Sequence, residues 1–363
     1  MSQSLFALDV RLVSTRNTGD TSYWRGLLKG LASVSGPDSR FLLCSNADRP
    51  AGIPESDNFE WVKIPAKRSL WWSLVSFPLV ARRAGAAAIH TQYSLSPLTR
   101  GRGITTIHDV SPFINPDWFH PSDVSRFTRQ MPLSVKIAKA VITVSETSKS
   151  EIETYLPGAV GKTSVTYNGP SESIVPKERD AAKRLIAERL GFTGPYVFTL
   201  GTRWRRKNTR LAVEAVELLS EQLPHRLIVT GQAYGDETEE PGRRAVWTGY
   251  LDDEIVSALY SAADAYLAPS LHEGFGIPLL EAFACGCPVI ASQGGAIPEV
   301  AGGAALIAPD FQAETWADCL TAVLTDPSKV IEMRQKGFDR LGAFDWGKTA
   351  AKTLEIYREV GKQ

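Results

Sequence analysis

The sequence has few cysteines and no excess of charge of either sign. Its 363 residues contain four cysteines (Cys44, Cys285, Cys287 and Cys319), and no C-x-x-C pair occurs among them. This pattern excludes a small disulfide-stabilised domain and is typical of proteins in a reducing compartment. Lys plus Arg and Asp plus Glu both number 40. The chain as a whole therefore lacks the basic surface that nucleic-acid binding needs.

The chain also lacks the signals of membrane insertion and secretion. Its longest strongly apolar stretch, Leu70–Ala81, is much shorter than the roughly 20 residues of a membrane-spanning helix. The first 30 residues contain Asp9, Asp20 and scattered arginines, without the charged-then-apolar order of a signal peptide. We therefore expect a cytoplasmic protein, and its length predicts two domains at roughly 100–200 residues each.

Charge is distributed unevenly along the chain. Residues 1–170 contain 19 Lys and Arg against 13 Asp and Glu, whereas the remainder contains 21 against 27. Such a split is typical of two domains with different partners, one of them anionic, although chance scatter of surface charge explains it equally well.

Short apolar strands alternate with helix-period segments. This alternation predicts βαβ units, in which parallel sheets are covered by helices on both faces. The candidate strands are Leu5–Val10, Ala88–His90, Ile104–Ile107, Ala140–Val144, Val197–Leu200, Leu227–Thr230, Ala265–Ala268, Pro288–Ala291 and Ala305–Ile307. The candidate helices between them include Thr209–Leu219, Asp252–Ala262, Pro278–Ala284 and Thr315–Thr325.

A cluster of turn-forming residues predicts the domain boundary. Tyr167-Asn-Gly-Pro-Ser separates two βα series, so we place the boundary near Asn168–Lys177. The fold class is then α/β, with two doubly wound domains, residues 1–170 and 171–345, facing across a cleft. Ligands of such sheets bind beyond the carboxyl ends of the strands.

A glycine-containing loop that leads into a helix is the most informative segment. After the strand Ala265–Ala268 come Gly274 and Gly276, and Pro278 stands where the first helical turn should be, a position that proline tolerates. Gly286 is placed to end this helix in a left-handed cap. Such a loop presents backbone N–H groups and the positive end of a helix dipole, an arrangement that suits phosphate.

Two glutamates flank this turn, Glu273 on the loop and Glu281 inside the helix. Because like charges repel, we expect them to accept hydrogen bonds from sugar hydroxyls and not to contact phosphate. The alternative for Glu281 is an ordinary solvated position on the helix.

A cluster of cations follows the strand Val197–Leu200. Its members are Arg203, Arg205, Arg206 and Lys207. Asn208 or Thr209 is predicted to cap the next helix. At this edge of the sheet the cluster is placed to bind a diphosphate, through hydrogen bonds of roughly 1.5–3 kcal/mol each. A solvated basic loop is the alternative.

These segments together resemble family 4 of the retaining glycosyltransferases, which have the GT-B fold. The resemblance rests on Arg206-Lys207-Asn208 combined with Glu273-Gly-Phe-Gly-Ile-Pro-Leu-Leu-Glu281, and it extends over nearly the whole chain. Weaker similarities follow in the expected order, namely Asp9 with Thr18-Gly19, Thr106-Ile-His-Asp109, Val141–Glu146, Val165–Gly169, Gly249–Asp253 and Asp345–Tyr357. Asp20 departs from the family, whose members often have a second glycine and an arginine after Gly19.

The resemblance implies roles for the matching residues. Arg206 and Lys207 would neutralise the diphosphate leaving group. Glu281 would bind the nucleotide ribose, and Glu273 the hydroxyls of the donor sugar. His108 would approach that sugar from the opposite domain. The other nucleotide-sugar-binding residues implied are Gly19, Gly201, Tyr250, Leu251, Gly274, Phe275, Gly276 and Ile277, with the main chain near Tyr250 and Leu251 reading the base.

The resemblance also implies an activity. The enzyme would move a sugar from a nucleotide-diphosphate donor to a glycan or lipid-linked acceptor, with retention of configuration. Residues 171–345 would bind the donor, residues 1–170 would lie on the acceptor side, and a terminal helix, 346–363, would return to the first domain. The Asp9 region and Thr106–Asp117 most resemble bacterial mannosyltransferases of polysaccharide assembly, so GDP-mannose is the first donor expected.

No metal or other cofactor is expected. The sequence contains no Asp-x-Asp, and prearranged Arg and Lys side chains can stabilise a departing diphosphate without a metal.

Three other functions are weighed against this one. The first is a nucleotide-sugar 2-epimerase of the same architecture, which would act without an acceptor. The second is an inactive nucleotide-sugar-binding partner subunit, which would not need to keep Arg206, Lys207 and Glu273 together. The third is a hydrolase that uses the two glutamates, although a carboxylate nucleophile would repel the diphosphate. No pattern in the sequence sets an oligomeric state.

One further segment has two interpretations. Lys67–Arg83 has an apolar, aromatic middle between basic ends. We expect it mainly to face the core of the first domain. The alternative is a surface helix in peripheral contact with the inner face of an anionic membrane.

Overall fold

A computed structural model describes residues 3–15, 19–65, 69–201, 204–231 and 242–362. The chain divides into two compact units. Unit 1 comprises Met1–Ile114, Pro121–Gly169 and Asp345–Gln363, and unit 2 comprises Asn115–His120 and Pro170–Phe344. Residues 115–120 belong to unit 2, although the sequence predicts them in the first domain.

The described residues form parallel sheets and helices that alternate along the chain. The strands are β1 (Ser4–Asp9), β2 (Ser39–Ser45), β3 (Phe59–Lys63), β4 (Ala88–Gln92), β5 (Gly103–Thr106), β6 (Ala140–Thr143), β7 (Thr163–Val165), β8 (Tyr196–Leu200), β9 (Arg226–Thr230), β10 (Ala245–Gly249), β11 (Ala265–Ala268), β12 (Val289–Ala291) and β13 (Leu306–Ile307). The helices are α1 (Gly19–Val34), α2 (Ser69–Trp71), α3 (Phe77–Arg83), α4 (Ser111–Ile114), α5 (Pro121–Ile137), α6 (Glu146–Tyr155), α7 (Arg179–Leu190), α8 (Thr209–Leu218), α9 (Asp253–Ala262), α10 (Ile277–Ala284), α11 (Ile297–Ala301), α12 (Ala313–Leu324), α13 (Pro327–Leu341) and α14 (Trp346–Gly361).

Each unit contains one parallel sheet with a reversal of strand order at its centre. The order is β3-β2-β1-β4-β5-β6-β7 in unit 1 and β10-β9-β8-β11-β12-β13 in unit 2. In both sheets the chain moves outward in one direction and then returns to build the other half. The two switch points, β1/β4 and β8/β11, are where ligands bind in folds of this type. The predicted doubly wound α/β class is therefore confirmed.

The last helix, α14, packs in unit 1, although the chain has passed through unit 2 before reaching it. Its Trp346 lies against α1, where Gly26 and Gly30 leave room for it. A Cβ atom on Gly26 would lie 2.0 Å from the Trp346 ring, and one on Gly30 would lie 2.1 Å from the Trp346 carbonyl oxygen. This close approach confirms the predicted return of the C-terminal helix.

Four strands, β2, β3, β7 and β10, were not among the sequence candidates. Three of them are edge strands, and β3 and β10 are only partly buried, so they do not show the continuous apolar run of a central strand. The fourth, β2, is different. Its buried run Phe41–Cys44 is a signal that could have predicted it.

Residues 69–83, the described part of the segment for which the sequence left two interpretations open, form α2, a π-helical turn at Trp72–Ser76, and α3. Trp72 and Phe77 are buried and stack on each other with ring centroids 5.0 Å apart, so the predicted core-facing side is confirmed. Leu70 and Trp71, in contrast, are 58% and 61% exposed. Lys67 and Arg68, its basic start, lie outside the described residues. Within the part of the chain that the structure describes, no helix is both long and apolar enough to span a membrane.

Candidate active site

The switch point of unit 2 brings two loops together. One loop follows β8 and contains Gly201 and a 3₁₀ turn at Arg205–Lys207; the other follows β11 and continues to the start of α10. Because β8 and β11 are parallel neighbours in the sheet, both loops start at the carboxyl ends of the strands and lie at the same end of the sheet. The Leu271 amide donates to the Arg206 carbonyl oxygen at 2.8 Å, which fixes one loop against the other.

Arg206, Lys207 and Glu273 form one ionic cluster, here called the charged triad. Lys207 Nζ lies 2.6 Å from Glu273 Oε1, and Arg206 Nη1 lies 2.9 Å from Glu273 Oε2. The Ser270 hydroxyl also donates to Oε1, at 2.6 Å, and Arg206 Nη1 donates to the His272 carbonyl oxygen. The side chains of the triad are only 12–19% exposed, so these bonds fix the cations in position.

The triad keeps Glu273 ionised despite its burial. Burial by itself would raise the pKa of Glu273, but Lys207 and Arg206 reverse this effect and hold the pKa well below its usual range. Two cations therefore share one carboxylate, which leaves one unit of positive charge in the cluster. A diphosphate would find this charge already in place.

The loop after β11 turns into α10 as the sequence predicts. Gly276 has φ +95°, a backbone conformation that glycine adopts readily. Pro278 occupies the first turn, and Gly286, with φ +65°, follows the end of the helix. The backbone amides of the predicted segment Gly274–Ile277 thus stand at the N-terminal end of α10.

Glu281 lies inside α10, and its environment shifts its pKa in the opposite direction from that of Glu273. Its side chain is buried and accepts a hydrogen bond from the Tyr260 hydroxyl at 3.1 Å. Burial raises the pKa of Glu281 to about 7, although this hydrogen bond opposes the shift. The alternative of a solvated helix position is therefore wrong.

The remaining predicted residues of unit 2 lie at the same sheet edge. Gly201 has φ +143°, and a Cβ atom there would lie 3.3 Å from Lys207 Cε. Both residues line one small pocket with Thr230 and Ser270. Tyr250, a residue that is 52% exposed, and Leu251 follow edge strand β10.

The cationic turn differs from its prediction in detail. Asn208 stands at the N-cap of α8 in the left-handed region, with φ +49°, but its side chain makes no capping hydrogen bond. The left-handed backbone conformation of Asn208, and not a hydrogen bond from its side chain, therefore forms this turn. Arg205 is exposed, and Arg203 lies outside the described residues.

His108 lies in unit 1, two residues after β5. Its Nε2 is 2.9 Å from Gln92 Nε2 and 3.5 Å from Asp20 Oδ1. Burial lowers the pKa of His108, against the opposing effect of Asp20 and Asp109. The nearby Gly19 begins α1, whereas Thr18 lies outside the described residues.

Several contacts of these sites were not predicted. Ser270 bonds Glu273 only three residues further along the chain. Tyr260 bonds Glu281 from 21 residues away, and Gln92 bonds His108 from 16 residues away. In addition, residues 115–120 contribute two aromatic rings to unit 2. Trp118 stacks on His272 with centroids 6.1 Å apart, and Phe119 meets Trp204 edge-on at 5.1 Å. No local pattern signals such long-range pairs.

Comparisons with known proteins point to one group of enzymes. Residues 194–326 match the family model described as "Glycosyl transferases group 1". This range contains the charged triad, Glu281 and the loop that joins them.

Two curated relatives are mannosyltransferases of Escherichia coli. The chain is 31% identical to O-antigen chain mannosyltransferase B over 269 residues, which cover 71% of this chain and 70% of that protein. It is 23% identical to serotype-specific mannosyltransferase WbdA over 271 residues, which cover 71% of this chain but only 33% of that protein.

Solved structures share the fold over almost the whole chain. Sucrose-phosphate synthase from Thermosynechococcus elongatus superposes with a TM-score of 0.74 at 20% identity and covers 99% of both chains. Anabaena Alr3699/HepE in complex with UDP-glucose superposes with a TM-score of 0.70 at 18% identity, over 98% of this chain and 99% of that chain. At these identities the likeness establishes the GT-B fold alone.

Proposed function

Because the chain belongs to the group 1 glycosyl transferases and is therefore a glycosyltransferase, we propose that it transfers mannose from GDP-mannose to a glycan or lipid-linked acceptor with retention of configuration. The observation that carries this proposal is the charged triad at the switch point of unit 2. Its two cations are fixed by buried hydrogen bonds and retain positive charge.

The departing diphosphate is the group that these cations serve. As the bond between the sugar C1 and the phosphate oxygen breaks, negative charge develops on the diphosphate. Lys207 and Arg206 stabilise that charge most effectively because Glu273 has oriented them before the reaction begins. The amides of Gly274–Ile277 at the start of α10 add further donors.

Other predicted residues bind the rest of the donor. The Glu281 carboxylate accepts hydrogen bonds from the ribose hydroxyls, and Glu273 from the sugar hydroxyls. The main chain at Tyr250 and Leu251 contacts the base. Gly201, and Gly19 of unit 1, contact the phosphates, and His108 of unit 1 contacts the donor sugar.

Retention follows from attack of the acceptor on the face that the nucleotide leaves. The acceptor oxygen forms a new bond to C1, and its proton passes to the departing phosphate oxygen. Glu273 is not a nucleophile in this scheme. Its carboxylate already accepts bonds from Lys207, Arg206 and Ser270, so attack on C1 would break the arrangement that holds the cations.

The reaction proposed here requires no metal, since Arg206 and Lys207 supply the positive charge. We expect transfer to continue after dialysis against a chelator. A loss of activity that Mg²⁺ or Mn²⁺ restores would overturn this part of the proposal.

The choice of mannose is supported by the names of the two Escherichia coli relatives reported above, which are mannosyltransferases. The runner-up donor is UDP-glucose, which the structural neighbour from Anabaena holds.

A thermal-shift panel of nucleoside diphosphates and their sugars tests the donor. A ligand at 100 times its Kd adds about 2.7 kcal/mol to stability. We expect the largest thermal shift with GDP-mannose. NMR of the transfer product should then show an α-linked sugar. A larger shift with UDP-glucose would replace the donor, an inverted product would overturn retention, and epimerised donor without acceptor would favour the epimerase.

Peripheral membrane contact would suit a lipid-linked acceptor, and we propose it for the exposed pair Leu70 and Trp71. These side chains lie in the segment that ends at Arg82 and Arg83, and such a combination is typical of interfacial anchors. We also propose that the enzyme acts in the cytoplasm. Its donor would be a nucleotide sugar, and free thiols such as Cys44 persist in a reducing compartment.

Co-sedimentation with anionic phospholipid vesicles tests this contact. We expect Leu70→Ser combined with Trp71→Ser to reduce binding. Leu133→Ser, at a position 64% exposed in the same unit, is the matched control. Equal binding of the wild type and both variants would refute the contact.

A further inference from the structure

Three residues meet at the switch point of unit 1. Asp20 lies at the start of α1, which follows β1; Gln92 is the last residue of β4; and His108 lies just after β5. These three strands are neighbours in the sheet. The side chains of the three residues therefore converge at the carboxyl edge of unit 1.

Two neighbours compete for one ring nitrogen of His108. Gln92 Nε2 lies 2.9 Å from His108 Nε2, and Asp20 Oδ1 lies 3.5 Å from the same atom. An amide nitrogen can only donate, whereas a carboxylate can only accept. Gln92 therefore requires Nε2 without a proton, and Asp20 favours Nε2 with one.

The distances favour Gln92. A separation of 2.9 Å is the usual length of an N–H hydrogen bond, whereas 3.5 Å is at its outer limit. The Asp20 carboxylate has a second partner as well, the Tyr93 hydroxyl, at 3.4 Å. Within the described residues, the buried Gln92 Oε1 has no hydrogen-bond partner. The bond to His108 is thus the polar contact that orients the Gln92 amide.

The surrounding groups favour a neutral imidazole. Burial lowers the pKa of His108, with Asp20 and Asp109 opposing, and it raises the pKa of Asp20. Two aromatic rings also contact His108: Tyr23 meets it edge-on with centroids 4.8 Å apart, and Tyr93 lies at 5.7 Å. A neutral imidazole that accepts at Nε2 carries its proton on Nδ1.

We propose that Gln92 is a positioning residue that holds His108 in the tautomer protonated on Nδ1, so that the ring offers its substrate an N–H donor from Nδ1. The tautomer assignment stands on the geometry of unit 1 alone. Its consequence for transfer rests on the proposed function, in which His108 contacts the donor sugar, and an N–H donor suits a sugar oxygen.

NMR of the full-length protein with ¹⁵N-labelled histidine tests the tautomer. His108→Gln identifies the resonance, and long-range ¹H–¹⁵N correlations distinguish the two neutral forms. We expect the Nδ1–H form in the wild type at pH 8. Gln92→Leu should shift the ring to the Nε2–H form, because Asp20 remains as the acceptor. Gln293→Leu, an exposed site in unit 2, is the matched control.

A second variant keeps the test decisive if Gln92→Leu does not fold. Gln92→Glu replaces the donor with an acceptor, so the ring should take the Nε2–H form and its pKa should rise. An Nε2–H form in the wild type, or an unchanged Nδ1–H form in Gln92→Glu, would overturn the proposal.

Kinetics then separate this proposal from the proposed function. We expect Gln92→Leu to lower kcat/KM for the donor sugar about tenfold, as for one lost hydrogen bond, with unchanged affinity for the nucleoside diphosphate. If His108→Ala retained full activity, the proposed role of His108 in transfer would fail, and the NMR result would still decide the tautomer.

Discussion

The two units use the same strand topology, but their switch points contain different chemistry. In unit 2 the loops after β8 and β11 hold three charged side chains in contact. In unit 1 the corresponding edge holds His108, whose ionisation is suppressed by burial. Burial opposes charge at both places, and only the triad has opposite charges close enough to overcome it. The sheet order thus decides where the loops meet, and the neighbouring side chains decide whether a group there is charged.

The same contrast occurs within unit 2 between its two glutamates. Glu273 has two cations at bonding distance and stays ionised, whereas Glu281 has the Tyr260 hydroxyl, and burial raises the pKa of Glu281 to about 7. Two carboxylates eight positions apart therefore suit different contacts: one orients cations, and the other changes its charge near neutral pH.

The largest effect is expected for Lys207→Ala. Removal of a prearranged donor to a developing charge lowers kcat by roughly 10²–10³-fold. Steady-state transfer assays measure the loss, with Lys336→Ala as the control because Lys336 is 53% exposed on α13. Near-normal turnover of Lys207→Ala, in a protein that remains folded by circular dichroism, would show that unit 2 does not stabilise the leaving group.

Glu281→Gln should stabilise the protein, but only above acidic pH. The pKa of Glu281 is raised from 4.5 to about 7 on folding. The unfolded chain therefore releases this proton first, and stability falls as pH rises from 4.5 to 7. Above pH 7 the cost is complete at about 3 kcal/mol, or a few hundred-fold in the unfolding constant.

Urea denaturation at two pH values checks this sign. The Gln side chain keeps an acceptor for the Tyr260 hydroxyl and is uncharged at both pH values. We expect the variant to exceed the wild type at pH 8 and to equal it near pH 4. A difference that is the same at both pH values would contradict the contrast between the two glutamates.

The next effect concerns nucleotide affinity. Glu281→Ala removes acceptors for the ribose and should weaken binding of the nucleoside diphosphate by about 10-fold or more. Glu273→Ala frees Arg206 and Lys207 to bind phosphate and should weaken it less, while it impairs the sugar step. Isothermal titration calorimetry measures both affinities, and equal losses in the two variants would refute these separate roles.

The smallest effect is expected for His108→Ala in unit 1. Loss of one hydrogen bond to the donor sugar should lower kcat/KM about tenfold. The affinity for the nucleoside diphosphate alone should not change, since its cations belong to unit 2. If that affinity fell together with transfer, the division of work between the two units would be wrong.

Local patterns predicted much of the fold. Buried strands such as β8 and β11 are continuous apolar runs, and Pro278 and Gly286 mark the two ends of α10. Patterning failed mainly at the edge strands: β3, β7 and β10 each pair with a neighbouring strand on one side only. It also failed at residues 115–120, whose aromatic rings pack on unit 2 although their sequence neighbours belong to unit 1.

The site was predicted in its composition but not in its bonding. Arg206, Lys207 and the two glutamates are recognisable because their spacing resembles a known family. The ion pairs to Glu273, the hydrogen bond from Tyr260 to Glu281 and the Gln92–His108 contact join residues 16 to 67 positions apart. No periodic pattern extends over such separations.

What the sequence determined by itself is the alternation of strands and helices and the chemical types of the side chains at their ends, because periodicity and turn residues act over a few positions. Only the tertiary structure decided which of those side chains are charged. Ionisation depends on burial and on partners within a few ångströms, and these partners come together only when β8 lies beside β11 and β4 beside β5.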